Sequence, residues 1–329
     1  MKQRDLGIDL LRAVGLLCII LAHVNPPELL WQLRSFDVVM MVCISTISFT
    51  EYSKPQPYFQ YIKGRIKRLL FPTWQYIILM GIVFYVISLI TGTKTPFPLK
   101  TILIGLVTFH GIGYLWVIRV FLYNAFLNPL IKRCEKFSFL GGVICIIIGS
   151  YAIYELVKYM VMSKGTPMIQ TTAEATILDF MAYGIIAVCS FLLYHFTDKK
   201  LLTSIGALAA GVISLSLYNH AFDPNGVKYP PGLLYICWGL FVVALSYYIL
   251  RKVKITKLPG IIKFISANSL WIYFWHAMLL VFERNYYSIN NWAVNWFVVV
   301  LFSLGMCYLQ NKINDFIKSR IAKTNQVTK

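Results

Sequence analysis

Charge is what this chain has least of. Only 13% of its 329 residues are Asp, Glu, Lys or Arg, about half the share found in soluble domains. The shortage is lopsided, with 13 acidic residues against 31 basic ones. Together with 58% hydrophobic residues and a mean hydropathy of +0.66, it excludes a water-soluble globular protein and leaves a polytopic membrane protein. A net charge of +18 would suggest nucleic acid in a soluble chain. Here the basic residues gather between apolar runs, as membrane loops do, so no nucleic-acid partner is expected. The seven cysteines are scattered, and no pair has metal-ligand spacing. They read as small core residues, and no metal is expected. Internal repeats, low-complexity tracts and loops long enough for a separate soluble domain are also missing. Met1-Lys2-Gln3-Arg4 before an apolar run imitates a signal peptide. Asp9 and Arg12 interrupt that run, however, and no small-residue cleavage site follows, so the segment reads as a retained first helix.

What the chain does have is apolar segments, near residues 6–24, 33–50, 70–90, 113–131, 138–156, 176–196, 201–218, 232–250, 262–282 and 292–311. They predict an all-α membrane protein of about ten transmembrane helices, with a transmembrane domain over 1–315 and a basic tail over 316–329. If the N-terminus is inside, 22 of the 31 Lys and Arg residues fall on the inner side and 6 on the outer. By the positive-inside rule both termini are then cytoplasmic.

The first segment carries Asp9, Arg12 and His23. Ionisable side chains inside a span are costly and tend to mark a pathway or site. Arg12 and His23 are close to three helical turns apart and project from nearly one face, and Asp9 lies one turn before Arg12. At about 1.5 Å per residue His23 lies roughly 24 Å above the inner end of the helix, in the outer half of the membrane. The plainer reading pairs Asp9 with Arg12 at the membrane edge and leaves His23 as a cap. Asp37, near the start of the second segment, could orient the His23 imidazole or simply pair with Arg34.

A second basic group lies in Tyr61-Ile62-Lys63-Gly64-Arg65-Ile66-Lys67-Arg68-Leu69-Leu70-Phe71-Pro72. Arg65 and Arg68 share a helical face, and guanidinium forks bind phosphate bidentately. The alternative is an ordinary positive-inside flank. Further on, His110-Gly111-Ile112-Gly113-Tyr114-Leu115-Trp116 precedes Arg119, a charge inside an apolar run, and Tyr123. Trp116 also suits an interfacial aromatic belt. Ser266-Ala267-Asn268-Ser269-Leu270-Trp271-Ile272-Tyr273-Phe274-Trp275-His276 places a histidine well up a rising helix, where it could equally hydrogen-bond a neighbouring helix.

I-D-x-L-R followed by ten residues and His, over residues 8–23, resembles the opening motif of the acyltransferase-3 family of membrane acyltransferases. R-x-x-R-L at 65–69 before Pro72 is similar to that family's second motif. Leu115-Trp116 with Tyr123 fits its next element loosely, and the 266–276 stretch is similar to its late S-x-x-I-Y-x-x-H element. Ile44-Ser45-Thr46-Ile47-Ser48-Phe49 departs from it, because many members have Ser-Gly-Phe there. The resemblance implies transfer of an acyl group, acetyl from cytoplasmic acetyl-CoA being the usual case, to a hydroxyl of a cell-envelope polysaccharide or its lipid-linked precursor. No cofactor would be permanently bound, and the protein would be multi-pass in the cytoplasmic membrane. The expected catalytic residues are His23, Arg12, Asp9 and Asp37. The expected donor-binding residues are Arg65, Arg68, Arg119 and Trp116, and His276 and Tyr123 are expected near the acceptor. Acyl-CoA, glycan and bilayer are the expected partners, and a homo-oligomer is left open. The rival reading is a transporter or flippase using Asp9, Arg12, Arg119 and His23 as a polar route, although the paired broken helices of inverted repeats are not seen in the sequence.

Overall fold

The computed structural model describes residues 5–108, 112, 114–133, 140–253 and 255–327. Lys2, Arg4, His110, Gly111, Gly113, Lys136, Lys254 and Lys329, used in the topology and motif arguments, lie outside the described residues. Among the described residues every element is helical. The α-helices are α1 (Leu6–Leu21), α2 (Glu28–Leu33), α3 (Asp37–Tyr52), α4 (Tyr58–Thr91), α5 (Leu99–Thr108), α6 (Trp116–Arg133), α7 (Leu140–Lys164), α8 (Pro167–Ala173), α9 (Asp179–His195), α10 (Asp198–Tyr218), α11 (Leu233–Lys252), α12 (Gly260–Ala267), α13 (Ser269–Asn285) and α14 (Trp292–Val327).

A helix occupies each of the ten apolar segments, but the lengths differ from those hydropathy predicted. Among the described residues six helices are long and apolar enough to cross a membrane, or seven if the bent α12–α13 pair is one span. The opening helix falls short because α1 has only 16 residues, about 24 Å of rise against a hydrocarbon core of about 30 Å. It is wrapped by α3, α12, α13 and α14, so protein rather than lipid solvates its ends. Asp5 caps it, accepting from the Gly7 and Ile8 N–H groups at 2.8 and 3.3 Å, which satisfies donors that would otherwise be orphaned. In α6 the 18 residues include Arg119, Asn124, Asn128, Lys132 and Arg133, which lower its hydropathy. By contrast α4 runs for 34 residues and starts well before its apolar stretch, so Arg65 and Arg68 stand on the helix itself. It stops at Gly92, φ +68°, a left-handed cap that glycine adopts without strain.

The core forms where α3 meets α1, α9 and α11. Val38, Val39, Met40, Val42, Cys43 and Ile44 are all buried, so successive residues of α3 face protein on every side, as a central helix must. Gly239 of α11 lets that contact close: a Cβ there would stand 2.6 Å from Val39 Cβ. The second irregularity is the 82° bend between α12 and α13. Broken helix at membrane depth survives only when protein covers it. Asn268 at the corner donates to the Phe264 carbonyl at 2.9 Å and accepts from Asn311 of α14 at 2.9 Å.

Candidate active site

The bend delivers Ser266 to α1. Its hydroxyl donates to Asp9 Oδ1 at 2.6 Å and accepts from Arg12 Nη1 at 3.1 Å. Arg12 also reaches Asp9 at 3.4 Å and, through Nη2, the Ser48 hydroxyl of α3 at 2.9 Å. Asp9 and Arg12 are therefore a pair, as their spacing predicts, but inside a four-residue network joining α1, α3 and α12 rather than as an isolated bridge. Ser48 occupies the place where the Ser-Gly-Phe element was expected, and there its hydroxyl orients Arg12.

Arg12 and Ser48 line a cavity of about 460 Å³. At one end of it stand Arg65 and Arg68; towards the other are Ile19 and Tyr273. A neighbouring hollow of about 400 Å³ shares Ser48, Arg65 and Arg68 and adds Lys54 and Gln60, which widens the basic end. Arg65 is steadied from one side, with Nε donating to the Tyr61 hydroxyl at 3.1 Å.

At the far end, Ile19 lies one turn before His23 and Tyr273 one turn before His276. The two histidine rings meet at 5.5 Å between centroids. Tyr114 packs edge-on against His23 at 4.3 Å and lies 6.0 Å from His276. Its backbone has φ +72°, a left-handed conformation that costs a non-glycine residue about 1 kcal/mol or more. The Tyr273 hydroxyl donates to the Tyr114 carbonyl and helps to hold it there. His23 itself stands in the turn after α1, with its N–H on the Ile20 carbonyl at 3.0 Å. His276 is fully buried, and its ring approaches the Ile272 and Tyr273 carbonyls without hydrogen-bond geometry. Both His276 nitrogens, His23 Nδ1 and the hydroxyls of Tyr114 and Tyr76 are enclosed with no partner among the described residues.

The other sequence candidates fall elsewhere. The Asp37 carboxylate is taken up by Arg34 at 2.9 Å, Lys228 at 3.5 Å and the Val38 N–H at 2.6 Å. Of its two readings, the geometry displays the pairing. Lys228, on the 219–232 connection, also sits over the rings of Trp116, Tyr229 and Tyr235 at 5.6–5.8 Å. Burial there pushes its ammonium below the ordinary lysine value, while Asp37 acts in the opposite direction. Trp116 thus packs at the His23 end, away from Arg65 and Arg68. Arg119 and Asp179 of α9 interact electrostatically, whereas Val117, Ile118 and Phe121 are the α6 residues facing the cavity near it. The Tyr123 hydroxyl donates at 2.8 Å to the Ala175 carbonyl, in the π-helical turn Glu174–Leu178, where the i→i+5 pattern breaks the regular α-ladder.

A family model of the acyltransferase domain of acyltransferase-3 proteins matches residues 5–310. The chain belongs to the acyltransferase-3 family. No curated protein and no solved structure matches it. As an acyltransferase-3 protein it is a membrane acyltransferase, and its domain spans the cavity and both ends described above.

Proposed function

We propose that this acyltransferase-3 protein takes an acyl group from an acyl-CoA, with acetyl-CoA the first donor to test, and transfers it to a carbohydrate hydroxyl of a cell-envelope polysaccharide or its lipid-linked precursor. The observation that carries this reading is one cavity lined by Arg65, Arg68 and Arg12 together with Ile19 and Tyr273, each one turn before a member of the His23–His276 pair, although neither histidine lines it. The two arginines present guanidinium forks suited to the donor's phosphates. The excess of basic residues on that side supports a cytoplasmic donor entrance, in keeping with a multi-pass protein of the cytoplasmic membrane.

At the other end His23 acts as general base. The acceptor hydroxyl gives its proton to the imidazole, the oxygen bonds to the acyl carbon, and the carbon–sulfur bond breaks. The leaving thiolate then takes that proton from the imidazolium, which returns His23 to its neutral form. Neutral imidazole suits this role because its ordinary pKa lies near neutrality, and such a base contributes about 10²–10⁴-fold. Arg12, fixed by Asp9, Ser48 and Ser266, lies close to three helical turns from His23, too far to touch the thioester oxygen there, and adds a cation along the donor's path between Arg65 and His23.

The test uses purified protein in nanodiscs with labelled acetyl-CoA and envelope glycans, with no gradient across a membrane. Wild type should move label onto sugar and His23→Gln should not. A wild-type protein that labels no acceptor, or a His23→Gln protein that labels at the wild-type rate, overturns the assignment.

A further inference from the structure

Past His276, α13 carries polar groups that the transfer step leaves unused. Glu283 is 8% exposed, and Asn295, which meets it from α14, is 7% exposed. Asn295 Nδ2 donates to Glu283 Oε2 at 3.0 Å. Glu283 Oε1, Asn295 Oδ1 and the Tyr286 hydroxyl have no partner among the described residues. A buried acceptor left unmade costs about 1–3 kcal/mol, so two side by side ask for a ligand rich in donors.

Their position says which ligand. Glu283 follows His276 by seven residues, so it sits about 10 Å further along the helix on nearly the same face. Tyr114, whose ring touches both histidines, also feels the Glu283 carboxylate. Trp296, next to Asn295, donates to the Leu17 carbonyl of α1 at 3.3 Å, which ties this part of α14 to the helix that carries His23. Tyr286 stacks with Phe84 at 6.2 Å, which adds an apolar surface.

We infer that Glu283, Asn295 and Tyr286 form a second carbohydrate subsite, which holds the hydroxyls of a neighbouring sugar while His23 attends the one being acylated. The inference rests on an acceptor bound at His23, as proposed above. Two acceptor oxygens receive two sugar hydroxyls, and the separation from His276 is one that a disaccharide bridges and a monosaccharide does not. The competing arrangement is a protonated Glu283 closed on Asn295, which would take no ligand.

The experiment is saturation-transfer NMR on the full chain in nanodiscs without acyl-CoA. The probes are cellobiose, maltose and N,N′-diacetylchitobiose, each beside its monosaccharide. Wild type should bind at least one disaccharide ten times or more tighter than its monosaccharide. Glu283→Gln keeps the size and the Asn295 contact, and it should lose that preference while thermal unfolding and acyl-CoA binding stay as in wild type. Should that variant fail to fold, Asn295→Leu removes one acceptor oxygen at similar volume and should show the same loss. Equal binding of mono- and disaccharide, no binding of any probe, or a preference that survives in the folded variant overturns the subsite. Because nothing is turned over, a disaccharide preference without acyl transfer would count against the transferase assignment alone.

Discussion

The two ends of the cavity treat buried polarity in opposite ways. Around Arg12 the polar groups satisfy one another: Asp9, Ser48 and Ser266 fix the guanidinium from three helices. Around His23 the enclosed atoms have no hydrogen-bond partner among the described residues: both nitrogens of His276, Nδ1 of His23 and the hydroxyls of Tyr114 and Tyr76. A saturated network gives a fixed position and a unique packing. Unpartnered buried atoms are costly to keep, and their grouping beside a cavity marks where a substrate's own donors and acceptors complete the set. On the proposed function, the protein holds its cation in advance and leaves its acceptor end to be finished by the ligand.

The largest effect should come from breaking the open end. His23→Ala or His23→Gln should lower acyl transfer by about 10²–10⁴-fold, read as kcat with labelled acetyl-CoA, while the folded protein accumulates normally. Next in size is Asp37→Ala, beside the open end. It leaves Arg34 and Lys228 buried without their carboxylate, and removing one partner of such a pair costs about 3–5 kcal/mol. The measurement is thermal unfolding in nanodiscs, and stability equal to wild type would show that the Asp37 cluster does not hold the 219–232 connection.

Smaller changes sharpen the comparison at the saturated end. Ser48→Ala deletes one hydrogen bond to a charged group, worth about 1.5–3 kcal/mol. If Arg12 must be held rigidly to bind the donor, the donor KM should rise about tenfold or more at that cost, with little change in kcat. An unaltered donor KM would make the network a packing device only. Arg65→Lys and Arg68→Lys keep the charge but not the bidentate fork, so each should raise the donor KM about tenfold and leave kcat near wild type. Unchanged donor affinity in both would return the pair to a positive-inside flank. Outside both ends, Gly239→Ala forces a Cβ against Val39 and should destabilise the α3–α11 contact by about 1–3 kcal/mol, without altering the ratio of the two KM values.

Much of the candidate site was legible in the sequence because its residues violate the local rule. Asp9, Arg12 and His23 stand out as ionisable groups in an apolar run, and Arg65 with Arg68 as a spaced basic pair. Tyr114, Tyr273, Ser48 and Ser266 gave no such signal, since a tyrosine or serine in an apolar helix is ordinary. Two of them left a trace through the family motifs: Ser48, standing where a Ser-Gly-Phe element was expected, and Tyr273, the tyrosine of the S-x-x-I-Y-x-x-H element. Arg119 and Asp37 carried the same signal as Arg12, yet they engage Asp179 and the Arg34–Lys228 pair. Hydropathy reports that a charge is buried and is silent on its partner. It also overreads span length, as α1 shows, because it cannot tell a helix bathed in lipid from one wrapped in protein.

By itself, then, the sequence determined the membrane class, the helical positions, the family motifs and the first-helix spacing of Arg12 and His23. These follow from local periodicity and composition, which act over a few turns. Only the tertiary structure decided that His23 meets His276, 253 residues away, that Ser266 turns a pair into a network, and that Glu283 faces Asn295. Such contacts depend on the bend at Asn268 and on how closely α3 admits its neighbours, and no local pattern encodes either.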